Sequence, residues 1–244
     1  MSSVRPSPSE AILGFFYPEV CQICSVESAS PSEGYVCIGC HDKIELISPP
    51  FCDRCGLPFS GAITRDFVCT NCKDLDLAFS SARSEIQATG VGLELVHHYK
   101  YHQALWFEPL FRRLIQASSG VQSFQGGYDA IVPVPLHREK HLEREFNQAE
   151  RLADLLSASL GIPVINRWIL RRNPTPTQTQ LTRQERARNV QSAFVSLDPI
   201  PTSIKRIILV DDVLTTGATT HACAKVLKRG GVERVTVWTL ARGI

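Results

Sequence analysis

No apolar run in these 244 residues approaches the roughly 18 needed to cross a bilayer, so no membrane insertion is expected. The opening residues, MSSVRPSPSE, show no basic stretch leading into a hydrophobic one. They read as no secretory leader, and a reducing, cytoplasmic setting is expected. Glycine and proline number 15 each, an average share that excludes collagen-like or low-complexity architecture. Charge of one sign is also lacking: the formal balance is +2, which alone predicts no partner. No regular aromatic and basic alternation marks a platform for single-stranded nucleic acid. Hydrophobic residues make up 43% and charged residues 20%, which excludes a disordered tail protein. The length leaves room for one to two domains at roughly 150 residues each.

Cysteine is sparse over most of the chain and dense at one end. Eight of the nine cysteines fall between residues 21 and 72, in four CxxC pairs: Cys21/Cys24, Cys37/Cys40, Cys52/Cys55 and Cys69/Cys72. Such a knuckle brings two thiolates to one ion, and a second knuckle completes the tetrahedron zinc prefers. Twelve residues separate Cys24 from Cys37 and thirteen separate Cys55 from Cys69, so each half reads as one ribbon. Only eleven lie between Cys40 and Cys52, which leaves interleaved pairing open. A disulfide framework does not suit the expected compartment, and two structural Zn2+ sites are the reading. Cys37–His41 also spells a haem-attachment pattern, which is set aside because covalent attachment generally requires export. The lone Cys223 is expected to be a small core residue. With few large aliphatics nearby, metal is expected to replace a proper core in residues 1–78.

From residue 79 the pattern becomes α/β. Residues 90–118 read as mainly helical with a break near Glu108-Pro109, and DAIVPVPL (129–136) as a short strand ending in prolines. An amphipathic helix is expected over 144–160, stopped by Gly161 and Pro163. Residues 171–190 read as a polar, basic loop leading into a short helix. RIILV (206–210) and VTVWTL (235–240) are strands around a helix at 217–229. Strands alternating with helices predict a mostly parallel sheet covered on both faces, with a division at residues 78/79. His97, His98 and His102 with Glu94 form a loose helical stripe, expected to be surface histidines rather than a metal site.

The most informative stretch is Ile207-Ile208-Leu209-Val210-Asp211-Asp212-Val213-Leu214-Thr215-Thr216-Gly217-Ala218-Thr219. A buried strand delivers two carboxylates to the carboxyl edge of the sheet, where open α/β folds bind ligands. The turn that follows offers hydroxyls from Thr215, Thr216 and Thr219 and backbone N–H groups at a helix start, which together can cradle a phosphate. Gly217 lets backbone approach that phosphate. Carboxylates accept hydrogen bonds from sugar hydroxyls, directly or through water on magnesium. A phosphate cup beside an acid pair describes a ribose 5-phosphate site.

This string resembles the signature by which type I phosphoribosyltransferases bind phosphoribosyl pyrophosphate (PRPP). VPVPLH (132–137), Arg144…Phe146-Asn147-Gln148-Ala149, Thr177-Gln178…Leu181, Arg186…Asn189-Val190…Ala193-Phe194 and TLAR (239–242) extend the match. YPEVCQIC (17–24), CDRCGLP (52–58) and Lys100-Tyr101 add to it. Nearly the whole chain is similar to the ComF family, in which a double zinc ribbon precedes a phosphoribosyltransferase-like domain. One departure is Glu145, where the family has glycine in Arg-Gly-Phe-Asn-Gln. The resemblance implies PRPP or a related phosphoribosyl ligand, Mg2+, and catalytic roles for Asp211 and Asp212. Residues 215–219, including Ala218, would hold the 5-phosphate. Arg138, Lys140, Arg144 and Arg186 are candidates for pyrophosphate, with Arg171 and Arg172 as further anion candidates. Asn147, Gln178 and Asn189 are expected to orient loops. The resemblance also implies DNA uptake in competence, with single-stranded DNA and a helicase-like partner. Either transfer of phosphoribosyl to an acceptor or PRPP binding without turnover fits these residues.

The weak overall charge is an average of opposites. Residues 1–78 hold five Lys/Arg and ten Asp/Glu, net −5, and residues 79–244 hold 21 and 14, net +7. Two four-thiolate zinc sites would take the ribbons to about −9. They therefore suit structure or protein contact, and any nucleic-acid contact is expected on the basic α/β part.

Overall fold

The computed structural model describes residues 19–61, 67–73, 75–137, 146–172 and 193–244. Its centre is a four-stranded sheet in the order β1–β6–β5–β2, formed by β1 (Ser81–Gln87), β2 (Ala130–Pro133), β5 (Arg206–Leu214) and β6 (Arg234–Arg242). All three neighbouring pairs are parallel. A short antiparallel ribbon of β3 (Ile169–Arg171) and β4 (Phe194–Ser196) stands apart.

Alternation along the central strands divides the core in two. Ile208 and Val210 of β5 and Trp238 of β6 point to one side, into helices α1 (Gly90–Tyr101), α2 (Glu108–Ala117) and α3 (Gln148–Leu160). Ile207, Leu209, Val235 and Val237 point to the other, into α4 (Ala218–Arg229) and the β3–β4 ribbon. A strand covered on both faces must be apolar throughout, which is why RIILV reads as a continuous run. The expected α/β class, a mostly parallel sheet with helices on both faces, is what the chain forms.

Two helix boundaries differ from expectation. The break in 90–118 comes earlier than Glu108-Pro109: α1 stops at Tyr101, a single turn occupies Leu105–Phe107, and α2 begins at Glu108. Pro109 therefore opens the second helix, where its missing N–H goes unused. Helix α3 starts at Gln148 behind Asn147, whose side-chain oxygen accepts from the Ala149 N–H at 3.0 Å. Phe146 thus lies before the helix and packs edge-on against Tyr99, 5.9 Å between ring centres. Gly161 ends α3 in the left-handed region, φ 71°, as expected.

Strand β1 was hidden because two of its four buried positions, Ser84 and Glu85, are polar. Ser84 and Thr239 share a hydrogen bond at 2.6 Å, and the Trp238 indole N–H donates to Glu85 at 2.7 Å. The outer edge of β1 is closed by the N-terminal segment. Ile47 N–H donates to Glu85 O, Gln87 N–H to Glu45 O and Ala82 N–H to Arg54 O, each at 2.8 Å. These bonds satisfy a strand edge that would otherwise template aggregation. The approach is close at the second knuckle. Gly56 has φ +65°, and a Cβ there would lie 2.8 Å from the Ala82 carbonyl oxygen.

Candidate functional site

The cysteines form two sets, Cys21/Cys24/Cys37/Cys40 and Cys52/Cys55/Cys69/Cys72, with the sulfurs of each set within 4.8 Å of one another. Pairing is therefore sequential, which resolves the interleaving left open by spacing. Four thiolates at about 2.3 Å from a tetrahedral zinc lie about 3.8 Å apart. Cys24 and Cys37 sulfurs are 3.8 Å apart, and those of Cys55 and Cys69 are 3.7 Å apart. A disulfide requires about 2.05 Å, so this is metal geometry. Each set repeats one supporting bond: Cys37 N–H donates to Cys21 Sγ at 3.4 Å, and Cys69 N–H to Cys52 Sγ at 3.3 Å. The donor set and spacing fit Zn2+ in both ribbons. Among the described residues these are the two groups of three or more His, Cys, Asp or Glu side chains close enough to share one ion. Cys223 is fully buried in the core.

The second feature is at the carboxyl end of β5. Asp212 is buried and its Oδ2 lies 2.7 Å from Lys100 Nζ of α1, while its Oδ1 accepts from Val213 N–H at 2.8 Å. Asp211 accepts from Asp212 N–H at 2.9 Å and faces the charge of Arg171 on β3. Asp211 is half-buried in the cavity wall, and its reduced contact with solvent, with the Asp212 charge beside it, raises its pKa to about 7 against the pull of Lys100. A cavity of about 490 Å3, within the range that suits a small-molecule ligand, is lined by Lys100, Arg171, Asp211, Asp212, Thr215 and Thr219.

The turn after β5 runs directly into α4. Gly217 caps the helix at φ 77°, a left-handed conformation that explains glycine there, and Thr220 Oγ1 donates to its carbonyl at 3.1 Å. Thr215 and Thr216 are exposed, and Thr219 is half-buried beside Ala218. The expected residues Asp211, Asp212 and 215–219 are thus contiguous around the helix start. Asn147 acts as expected for a loop-orienting residue: besides capping α3, its Nδ2 donates to Val134 O at 3.1 Å. Gln148 Nε2 donates to Lys100 O at 3.1 Å, tying α3 to the end of α1. Arg138, Lys140, Arg144, Glu145, Gln178, Arg186 and Asn189 lie outside the described residues.

Sequence reasoning did not assign Lys100 to the site, because 112 positions separate it from Asp212 and only the fold joins them. The available signal was a lone lysine in the otherwise uncharged last turn of α1. A second cavity of about 640 Å3 lies between the turn and the second ribbon, with Leu57, Leu77 and Phe79 in its wall. Thr216, Gly217 and Ala218 line this cavity, Thr219 lines the smaller one and Thr215 lines both. It lacks the acid pair, so the smaller cavity is the candidate site.

Two sequential four-cysteine ribbons ahead of a parallel α/β sheet define the class: a double-zinc-ribbon protein with a parallel α/β domain. Residues 12–73 match the family model described as Double zinc ribbon domain. The chain is 32% identical over 219 residues to Competence protein F of Haemophilus influenzae, covering 85% of this chain and 90% of that protein. It is 31% identical over 233 residues to the DNA utilization protein YhgH of Salmonella typhimurium, covering 92% and 97%. Competence protein ComFC of Bacillus subtilis is 28% identical over 210 residues, covering 85% and 84%. The chain belongs to the ComF family. Among solved structures, adenine phosphoribosyltransferase of Trypanosoma brucei aligns with 12% identity over 84% of this chain and 78% of that one, TM-score 0.37. Another adenine phosphoribosyltransferase aligns with 17% identity over 56% and 71%, TM-score 0.36. At such scores the alignments carry no argument about chemistry. Among the described residues, no helix is long and apolar enough to cross a membrane.

Proposed function

We propose that the chain binds PRPP at the carboxyl end of β5 and transfers its phosphoribosyl group to a nitrogen acceptor. The observation that carries this reading is that the Asp211–Asp212 pair shares one cavity with Thr215 and Thr219 of the helix start, flanked by Lys100 and Arg171. In this reading the turn and the first N–H groups of α4 hold the 5-phosphate. The acid pair accepts hydrogen bonds from the ribose hydroxyls and stabilises positive character at the anomeric carbon. Lys100 and Arg171 face the departing pyrophosphate, a role for which Arg138, Lys140, Arg144 and Arg186 are also proposed. The acceptor nitrogen forms a bond to the anomeric carbon as the bond to pyrophosphate oxygen breaks, and pyrophosphate leaves with the electron pair.

Mg2+ would be held by Asp211 and Asp212, whose oxygens suit a hard cation, and when bound it would neutralise pyrophosphate charge. The two carboxylates lie side by side in the cavity wall, oxygen donors of the kind a hard cation takes, and the Lys100 ammonium would be displaced from Asp212 by Mg2+. The relatives named for competence and DNA utilization support a setting in DNA uptake; a cytoplasmic location, single-stranded DNA and a helicase-like partner are what the family resemblance implies for that setting. The ribbons then serve structure and protein contact.

A screen of nitrogen acceptors for pyrophosphate release from PRPP tests the chemistry. Release that depends on one acceptor class supports transfer. Magnesium-dependent PRPP binding with no release from any acceptor replaces transfer by a binding-only, regulatory role. Absence of PRPP binding overturns both.

A further inference from the structure

Arg242 ends β6 and is only 6% exposed, yet among the described residues no carboxylate pairs with it. A guanidinium taken out of water needs its donors bonded and its charge compensated. Two elements far apart in sequence supply the bonds. On one side Nε donates to the Cys55 carbonyl at 3.1 Å, and Nη2 lies 3.6 Å from Cys55 Sγ. On the other, Nη1 donates to Leu214 O at 2.8 Å, to Thr215 O at 2.9 Å and to Gly243 O. Gly243 N–H adds a bond to Leu214 O at 2.9 Å.

The missing anion is the second metal centre. Zinc in four thiolates carries a net charge of about −2, and one of those four sulfurs, Cys55 Sγ, faces the guanidinium. The first centre has no such neighbour: among the described residues no arginine bonds a sulfur of Cys21, Cys24, Cys37 or Cys40. Two chemically alike sites therefore differ in what they touch.

We propose that Arg242 is a positioning residue that couples the second zinc centre to the turn after β5. It serves as counter-ion to the Cys52/Cys55/Cys69/Cys72 set and, with the same guanidinium, clamps the carbonyls of Leu214 and Thr215. Metal loss at that centre removes the charge that holds Arg242 and loosens the turn. The consequence for phosphoribosyl binding rests on the phosphate role proposed for Thr215–Thr219; the coupling itself does not.

The test uses zinc-loaded full-length protein, wild type and Arg242→Gln, Arg242→Lys and Cys72→Ser. Zinc release to a chromophoric chelator, amide hydrogen exchange across 214–219, and calorimetry with ribose 5-phosphate are the three readouts. Loss of an outer-shell partner typically costs about 10- to 100-fold in metal affinity. Arg242→Gln is therefore expected to release one zinc of the two about 10-fold faster and to raise exchange in the turn. Arg242→Lys, which keeps charge without the bridge, is expected to fall between. Cys72→Ser is expected to raise exchange in the turn, and Arg242→Gln in that background to raise it no further, whereas separate effects of ribbon loss and of Arg242 would add and so overturn the coupling. Wild-type release of both zincs from Arg242→Gln, or an undisturbed turn in Cys72→Ser, overturns the coupling. Wild-type protein that binds no ribose 5-phosphate overturns the phosphate role instead, and the coupling is still decided by zinc release and exchange.

Discussion

Replacing Lys100 by methionine keeps most of its length while removing the ammonium that lies 2.7 Å from Asp212. The side chains are 27% and 11% exposed, so the pair sits between an open surface bridge and a buried one. Surface pairs contribute about 0–1 kcal/mol, and breaking a buried pair costs about 3–5 kcal/mol. Lys100→Met is therefore expected to cost about 1–3 kcal/mol, most of it from leaving the Asp212 carboxylate buried beside Asp211 with no cation and, among the described residues, only the Val213 N–H bonded to it. Asp212→Asn in the same background should relieve much of that cost. A double-mutant cycle should give a coupling of about 1–3 kcal/mol. Urea unfolding with free zinc held fixed measures it, followed by the fluorescence of Trp238, which is fully buried at the sheet. A coupling below about 0.3 kcal/mol, the level at which independent sites add, would refute the ion pair. The site would then lose the cation that flanks its acid pair.

Removing zinc should unfold the ribbons and uncover the β1 edge, raising amide exchange across 19–73 and at Ala82 and Gln87, with self-association to follow. Stripped protein that keeps full protection there would contradict the structural role of the metal. His221 accepts the Ala78 N–H on Nδ1 at 3.0 Å, and burial and Lys225 lower its pKa below 6.5. At this group the unfolded state therefore binds more protons, so the His221 contribution to stability is present above pH 6.5 and is lost as the pH drops below it. It is opposite in sign to the contribution of Asp211, whose raised pKa weakens the fold as the pH rises towards 7. His221→Gln should flatten that slope in unfolding measured between pH 5 and 7.5, and an unchanged slope would assign the effect to another group.

Much of the chain was legible because its signals are local. Cysteine ligands two residues apart declare a knuckle wherever the chain goes, and the strand–acid pair–turn–helix run at 206–229 is a contiguous string. The strand β1 was not legible. SARSEIQ buries Ser84 and Glu85, and those burials make sense only once Thr239 and Trp238 are beside them. Pro109 was visible but its role was not, since the same ring breaks a helix interior and suits a helix start. Lys100 and Arg242 belong to the same class of omission. Each was noted within a family pattern, Lys100-Tyr101 and TLAR, but their partners are Asp212 in one case and Cys55 with Thr215 in the other. Such long-range polar contacts leave no periodicity to read.

The central claim is that the acid pair and the following turn form a phosphoribosyl site. Calorimetric titration of PRPP with Mg2+ into the zinc-loaded wild type and into Asp212→Ala tests it most directly. Saturable, magnesium-dependent binding is expected for the wild type and none for the variant, with two zincs retained by both. Unaltered PRPP affinity in Asp212→Ala would contradict it.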